Sequence, residues 1–246
     1  MGPDRGEAGS EIQDAILAAG ASLVGIADLT GLSPEGTQGL CTGVSIARAL
    51  DPRVVAELER GPTAAYRAEY DRVNAELARL AEVAASLLRG RGHRAVYGPP
   101  TVHAVGPESN VPLPHKTVAT RAGLGWIGHS ALLVTPAFGC AVRLTSVLTD
   151  ARLPAASPVE RTRCGRCQHC VIACPAGAIS GRPWFPGLPR QAFYDAEACR
   201  EMATSLAGSR GIAVTICGIC IHACPFTKRF LRRAGVPPSG GMAPAR

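Results

Sequence analysis

The chain has 246 residues, of which 46 % are hydrophobic and 18 % charged, and a formal net charge of +7. That apolar content excludes a disordered chain, and at about 100–200 residues per domain the length fits one large domain or two modest ones. No apolar run reaches the ~20 residues a membrane helix needs, and the polar, acid-containing start MGPDRGEAGSEIQDAI is no secretory signal, so the sequence reads as soluble and cytoplasmic.

In chain order, Ser10 with Gln13 forms a capping-box pattern, and Ile12, Ile16 and Leu17 share a face, which predicts a helix ending near Gly20. Strands are expected over 21–29 and 43–50, separated by a glycine-rich loop. Asp51 and Pro52 open a short helix that Gly61 ends. The strongest helical signal runs from Pro62 to about Leu88. Tyr66, Tyr70, Val73, Leu77, Leu80, Ala84 and Leu87 form one apolar stripe there, closed by Gly90 and Gly92. Short β-like runs at 94–97 and 101–105, a proline-rich loop over 107–114, a helix over 116–122 and strands at 131–135 and 141–149 complete this half. Strands interleaved with helices predict a layered α/β domain.

Charge and cysteine both shift near residue 151. Residues 1–150 carry a net −2 and residues 151–246 a net +9, and the proline-containing stretch 151–160 suits a linker. Two domains are therefore expected, 1–155 and 156–246. Of the ten cysteines, only Cys41 and Cys140 precede the break, and both read as buried small apolar residues. Residues 164–175, CGRCQHCVIACP, give the C-x2-C-x2-C-x3-C-P run that bacterial-type ferredoxins use for [4Fe–4S] clusters. In such folds the fourth cysteine ligates the other cluster. A second, three-cysteine run, Cys217, Cys220 and Cys224, also ends in proline, and the isolated Cys199 completes it. The crossover rule assigns Cys164, Cys167, Cys170 and Cys224 to one cluster, and Cys174, Cys199, Cys217 and Cys220 to the other. Disulfides do not suit a cytosolic chain, and structural zinc favours two separated cysteine pairs. With both clusters bound the second half would carry about +5. Lys228, Arg229, Arg232 and Arg233 form a basic run that suits a solvated helix face, an acidic electron donor or an RNA backbone. His169 and His222, between cluster cysteines, read as surface residues or as tuning groups.

In the first half, Gly123, Gly125 and Gly128 form a G-x-G-x-x-G. A dinucleotide fingerprint follows a strand and opens a helix, and here the order is reversed, which argues against a nicotinamide cofactor. The stretch RAGLGWIG (121–128), the following ALLV, the strand ending in VLTD, and the full cysteine pattern with the isolated Cys199 in DAEAC resemble the epoxyqueuosine reductases, over roughly residues 110–226.

That resemblance implies a layered, nitroreductase-like α/β domain that holds cobalamin, followed by a bacterial-type two-cluster ferredoxin domain that delivers electrons to it. It implies epoxyqueuosine in tRNA as substrate and an external ferredoxin or flavodoxin as electron donor. Gly123, Gly125 and Gly128 would let the backbone approach the corrin, Trp126 would pack near it, and Lys116 and Arg121 would meet its amide or phosphate side. The family's catalytic aspartate falls at Ser109, with Glu108 beside it, and its Glu-Arg pair is replaced by His115 and Lys116. Candidate proton donors are accordingly Glu108, His115 and His103. The chain reads as a short form without the family's C-terminal helical-repeat domain. Two rivals stand beside this reading: an electron-transfer or corrinoid-reactivating protein with no small-molecule substrate, and a flavin protein.

Overall fold

The computed structural model describes residues 5–100 and 113–236, with side chains from residue 8 onward. The chain divides into two compact units that interleave in sequence. One comprises residues 1–48, 73–125 and 143–160, the other 49–72, 126–142 and 161–246. The last cut, after Glu160, lies near the expected boundary, but two earlier segments fall in the cysteine-bearing unit.

The first unit is built on a four-stranded sheet. Its strands are β1 (Leu23–Asp28), β2 (Thr42–Ala49), β3 (Ala95–Tyr97) and β6 (Val142–Thr149), in the order β1-β2-β6-β3. β1 and β2 run antiparallel with Leu23 opposite Ala47, and β3 and β6 run antiparallel with Ala95 opposite Thr149. Helix α1 (Arg5–Ala18) packs on β1, burying Ile12 and Ile16. It begins before the expected start, so Ser10 lies inside the helix rather than at its cap. The short α2 (Pro34–Thr37) lies in the expected glycine-rich loop.

The long helix α4 (Ala64–Gly90) supplies Val73, Leu77, Leu80, Ala81, Ala84, Ala85 and Leu88 to the core. At its end Leu88, not Leu87, is the buried residue. A helix with 3.6 residues per turn drifts off a strict alternation of three and four. Helix α5 (His115–Arg121) lies on β1. Two glycines permit this. A Cβ on Gly25 would sit 2.6 Å from the carbonyl oxygen of Ala122, and one on Gly43 would sit 2.6 Å from Val118. Val118 and Ala122 then join Ala27, Leu29, Leu40 and Leu148 in one apolar cluster.

The second unit contains α3 (Pro52–Ala56), the first turns of α4, a small hairpin of β4 (Trp126–Ile127) and β5 (Leu133–Val134), and the cysteine segment. Asp51 caps α3 by accepting from the backbone N–H of Arg53, as its position before Pro52 predicts. The strand expected over 131–135 shrinks to two residues, and its partner is the Trp-Ile of RAGLGWIG. The cysteine segment carries α6 (His169–Ala173), α7 (Ala196–Gly208), α8 (Ile219–Ala223) and α9 (Pro225–Arg233). Here α6 and α8 are counterparts. Each is five residues long, each ends at an extended cysteine (Cys174 or Cys224) followed by proline, and the two pack together. Among the described residues no helix is long and apolar enough to cross a membrane.

Candidate metal centre

The cysteines gather in two neighbourhoods, and among the described residues no three ligating side chains stand close enough to hold a single metal ion. At the C-terminal ends of α6 and α8, the extended backbone of Cys174 and Cys224 turns each side chain out of its helix, and the following proline prevents the helix from continuing through it. Cys174, Cys199, Cys217 and Cys220 all line one cavity of about 300 Å3, together with Tyr194, Ile179 and Ile219. They come from four places in the chain: the end of α6, the first turn of α7, the loop before α8, and α8 itself. Burial, followed by the repulsion of Cys217, Cys199, Cys170 and Cys174, pushes the Cys220 thiol well up. Burial likewise raises Cys217 and Cys199, with Cys174 adding to both. Thiols this crowded give up their protons when a metal replaces them.

The other set surrounds Cys170. Burial and then the nearby thiols of Cys164, Cys167 and Cys224 push Cys170 up to about 11. Cys224 behaves oppositely and is lowered to about 6. The hydrogen bond from the Cys140 thiol leads, and with the backbone N–H groups of Thr227 and Phe226 at the start of α9 it outweighs burial, which acts the other way.

Several neighbours of these cysteines were not legible in sequence. Cys140 is buried as expected, but it is a hydrogen-bond partner of Cys224 rather than mere filling, and its N–H donates to the Thr227 hydroxyl at 3.0 Å. The Tyr194 hydroxyl donates to Cys199, and burial together with that bond raises the phenol. His129, 1 % exposed, places Nδ1 2.9 Å from the Cys167 carbonyl oxygen, which makes Nδ1 the donor, while its Nε2 has no partner. His169 is exposed, with Nδ1 3.2 Å from the Cys167 sulfur. His222, expected at the surface, is 3 % exposed, and burial ahead of the Lys228 charge lowers its pKa. Cys41, expected to be buried, is half-exposed and lies 3.7 Å from the Asp150 carbonyl oxygen.

The residues expected around a corrin are engaged by the chain itself. Gly123 has φ +71°, and a Cβ there would meet the Ser157 carbonyl oxygen at 3.2 Å. A Cβ on Gly128 would lie 2.7 Å from Val134 and 3.5 Å from the Cys164 sulfur. Gly125 is buried. Trp126, 2 % exposed, stands edge-on to Phe226 at 4.9 Å, with the Arg163 guanidinium over its ring. The Arg121 guanidinium donates to the carbonyls of Asp28 and Thr30. Lys116 is half-buried in the first turn of α5. Gly123 itself is exposed.

Of the candidate proton donors, Glu108 and His103 lie outside the described residues. His115 opens α5 and lines a cavity of about 160 Å3 with Glu35, Gln38, Tyr97, Leu113 and Ser146. Its Nδ1 lies 2.7 Å from the Ser146 hydroxyl and its Nε2 3.2 Å from the Pro99 carbonyl oxygen. A carbonyl only accepts, so Nε2 carries the proton and Nδ1 accepts from Ser146. Burial lowers the His115 pKa, ahead of the Pro99 bond, which raises it, and Arg143, which lowers it.

Residues 163–227 match the 4Fe-4S double cluster binding domain. The chain is 34 % identical over 128 residues to an epoxyqueuosine reductase of Synechococcus sp. (strain RCC307), covering 52 % of this chain and 39 % of that protein. It is 33 % identical over 134 residues to one from Gloeobacter violaceus, covering 54 % and 42 %. The chain thus spans well under half the length of these curated relatives. Among solved structures, a catabolic reductive dehalogenase in complex with 3-bromo-4-hydroxybenzoic acid aligns with a TM-score of 0.72 at 19 % identity, covering 97 % of this chain and 35 % of the other. An epoxyqueuosine reductase bound to an epoxyqueuosine-modified tRNA-Tyr stem loop aligns with a TM-score of 0.59 at 20 % identity, covering 89 % and 65 %. The chain is therefore similar to the epoxyqueuosine reductases in sequence over about half its length, and it shares their mixed α/β fold with its double-cluster segment over most of it.

Proposed function

We propose that the chain is a cytoplasmic iron–sulfur reductase of the epoxyqueuosine reductase type. The observation that carries this reading is the convergence of Cys174, Cys199, Cys217 and Cys220 on one cavity beside the set around Cys170. We assign Cys164, Cys167, Cys170 and Cys224 to one [4Fe–4S] cluster and the cavity set to the other. Such clusters supply one-electron transfer at a potential set by hydrogen bonds to their sulfurs and by solvent exposure. The chain's own part is to hold the thiolates, to shield them with Ile179, Ile219 and Ile221, and to aim Tyr194 at Cys199 and Cys140 at Cys224.

The default substrate is epoxyqueuosine in tRNA, supported by the curated relatives. Removing an epoxide oxygen as water consumes an electron pair and a pair of protons. The electrons come from an external ferredoxin or flavodoxin, and the protons need a donor near the substrate. Residues 1–155 would form the substrate and cofactor domain, and residues 156–246 the cluster domain. His115 and Glu108 are the assigned proton-handling residues. His115 presents a neutral ring on the cavity it shares with Ser146 and Tyr97, with its Nε2 proton held by the Pro99 carbonyl oxygen.

Cobalamin enters this reading through the fold alone. One aligned structure is described as a reductive dehalogenase with a mechanism for B12-dependent dehalogenation. Gly123, exposed on the chain's surface, and the buried Gly125, Trp126 and Gly128 are the residues that would lie along such a group, which would supply electron transfer to the substrate. Anaerobic reconstitution followed by cob(II)alamin addition, desalting and EPR tests the assignment. Eight irons with retained cobalamin support the reductase. Eight irons without it leave an electron-transfer protein.

A further inference from the structure

Between Glu160 and Asp195 the chain carries five arginines (161, 163, 166, 182 and 190) and no carboxylate. All five are exposed. Ile172, in α6 between Cys170 and Cys174, is 84 % exposed, and Phe185 is 51 % exposed. Ile172 thus presents an open aliphatic side chain two residues from a cysteine of each set. Two ties fold the 181–185 loop back onto the cysteine loop. The Thr162 N–H donates to the Trp184 carbonyl oxygen, and a Cβ on Gly181 would meet the Gln168 side chain at 2.6 Å. Gln168 stands one turn before Ile172 in the same helical register, and Gly181, next to Arg182, lies against the Gln168 side chain.

Resting on the cluster assignment above, we infer that this surface is the docking site of an acidic, low-potential electron-donor protein, with Ile172 as its apolar centre and Arg166 and Arg182 in its basic rim. An apolar centre within a charged rim is the anatomy of a protein–protein contact. Basic side chains at the rim select an acidic partner and steer its approach. The position favours a redox partner over RNA. Ile172 lies on the short helix between Cys170 and Cys174, a cysteine of each set, and this exposed centre is aliphatic, whereas bases stack on aromatic rings. The other basic run, on α9, lacks such a centre. Its Phe226 lies under Arg229 and edge-on to Trp126.

The test uses the anaerobic, cluster-loaded full chain and photoreduced flavodoxin, with dithionite as the small chemical reductant. Stopped-flow absorbance follows cluster bleaching in wild type, Arg166→Glu/Arg182→Glu, Ile172→Ser, and an Arg232→Glu/Arg233→Glu control of equal charge change. The patch double variant is expected to slow flavodoxin-driven reduction about tenfold at low salt, converging on wild type as salt rises, with the α9 control within about twofold. Ile172→Ser is expected to slow reduction at all salt concentrations. Dithionite should reduce all four proteins alike.

Equal slowing by the α9 control, or no slowing by the patch variants, overturns the proposal. So does a loss of tRNA binding with donor-driven reduction intact, which would make this an RNA face. Self-association abolished by Ile172→Ser, again with reduction intact, would assign it to a second copy. Failure of dithionite to bleach the wild type would remove the cluster reading itself, and this inference with it.

Discussion

The Nδ1 of His115 and the hydroxyl of Ser146 lie 2.7 Å apart, joining the first residue of α5 to β6 at the wall of a cavity. The Pro99 carbonyl holds the other ring nitrogen, so the imidazole is fixed in one tautomer before any substrate arrives. This fixes what His115 offers: a neutral ring and one proton, at Nε2.

The pH response of that ring follows from its burial. Burial lowers the native pKa of His115 below 6.5, so between that lowered value and 6.5 the unfolded chain binds a proton that the native chain does not. Stability therefore rises with pH through this window and is lost as pH falls below 6.5. Arg143, whose charge opposes protonation, adds to the effect. His115→Gln should flatten this part of the stability profile, measured by denaturant unfolding across the window. A wild-type profile no steeper than the variant's would count against the assignment. The NMR titration of His115 should give a midpoint below the usual histidine value.

Tyr194 makes a prediction about potential rather than stability. Its hydroxyl donates to Cys199, and a hydrogen bond to a thiolate favours the more negative, reduced cluster. Tyr194→Phe keeps the ring and removes the donor. At about 1 kcal/mol for the bond, the potential of the cluster held by Cys199 should fall by about 40 mV, with the other cluster unmoved. An EPR-monitored redox titration separates the two. A shift in both clusters, or in neither, would remove Tyr194 from this role.

The cysteine half was the more legible part of the chain, because ligand spacing is a short-range property. CGRCQHCVIACP sets its own turns and helix, and the matched five-residue helices of α6 and α8 follow from the repeated C-x3-C-P. What surrounds the cysteines was not legible. Cys140, His129 and Tyr194 reach them through tertiary packing, and nothing in their local sequence marks it. The glycines of 121–128 show the same limit from the other side. Sequence identifies a position that tolerates no side chain, but not what occupies the space: the Ser157 carbonyl at Gly123, and Val134 and Cys164 at Gly128. The two compact units interleave for a similar reason. Charge and composition change once along the chain, whereas the hairpin of β4 and β5 is placed by contacts such as that of Trp126 with Phe226.

Gly139 is the tightest of these contacts. It has φ +58°, and an added Cβ would lie 2.2 Å from the Thr227 nitrogen and 2.6 Å from the Phe226 carbonyl carbon. Both are backbone atoms and cannot rotate away. Gly139→Ala should therefore cost more than about 2 kcal/mol, from the left-handed conformation and the overlap together. The shift would fall on the start of α9, where Cys224 caps the helix. Thermal unfolding and iron content of the variant should both drop. A variant that melts like wild type would mean that α9 can move off the hairpin freely.

Cys199 gives the sharpest test of the ligand sets, since no run of cysteines surrounds it. It lies in the first turn of α7, whose start Asp195 fixes by accepting from the backbone N–H groups of Glu197 and Ala198. That cap aims the first turn at the cavity shared with Cys174, Cys217 and Cys220. Alanine at this site leaves the α7 cap and the set around Cys170 intact. Cys199→Ala should therefore lose one cluster, dropping from about eight irons to about four, and keep one reducible [4Fe–4S] signal. Cys224→Ala should also lose one cluster, but the other one, so the signals left in the two variants should differ in potential. If both variants keep the same signal, the crossover assignment is wrong. If Cys199→Ala keeps all eight irons, the isolated cysteine is no ligand, and the second cluster must draw its fourth bond from elsewhere on the cavity wall.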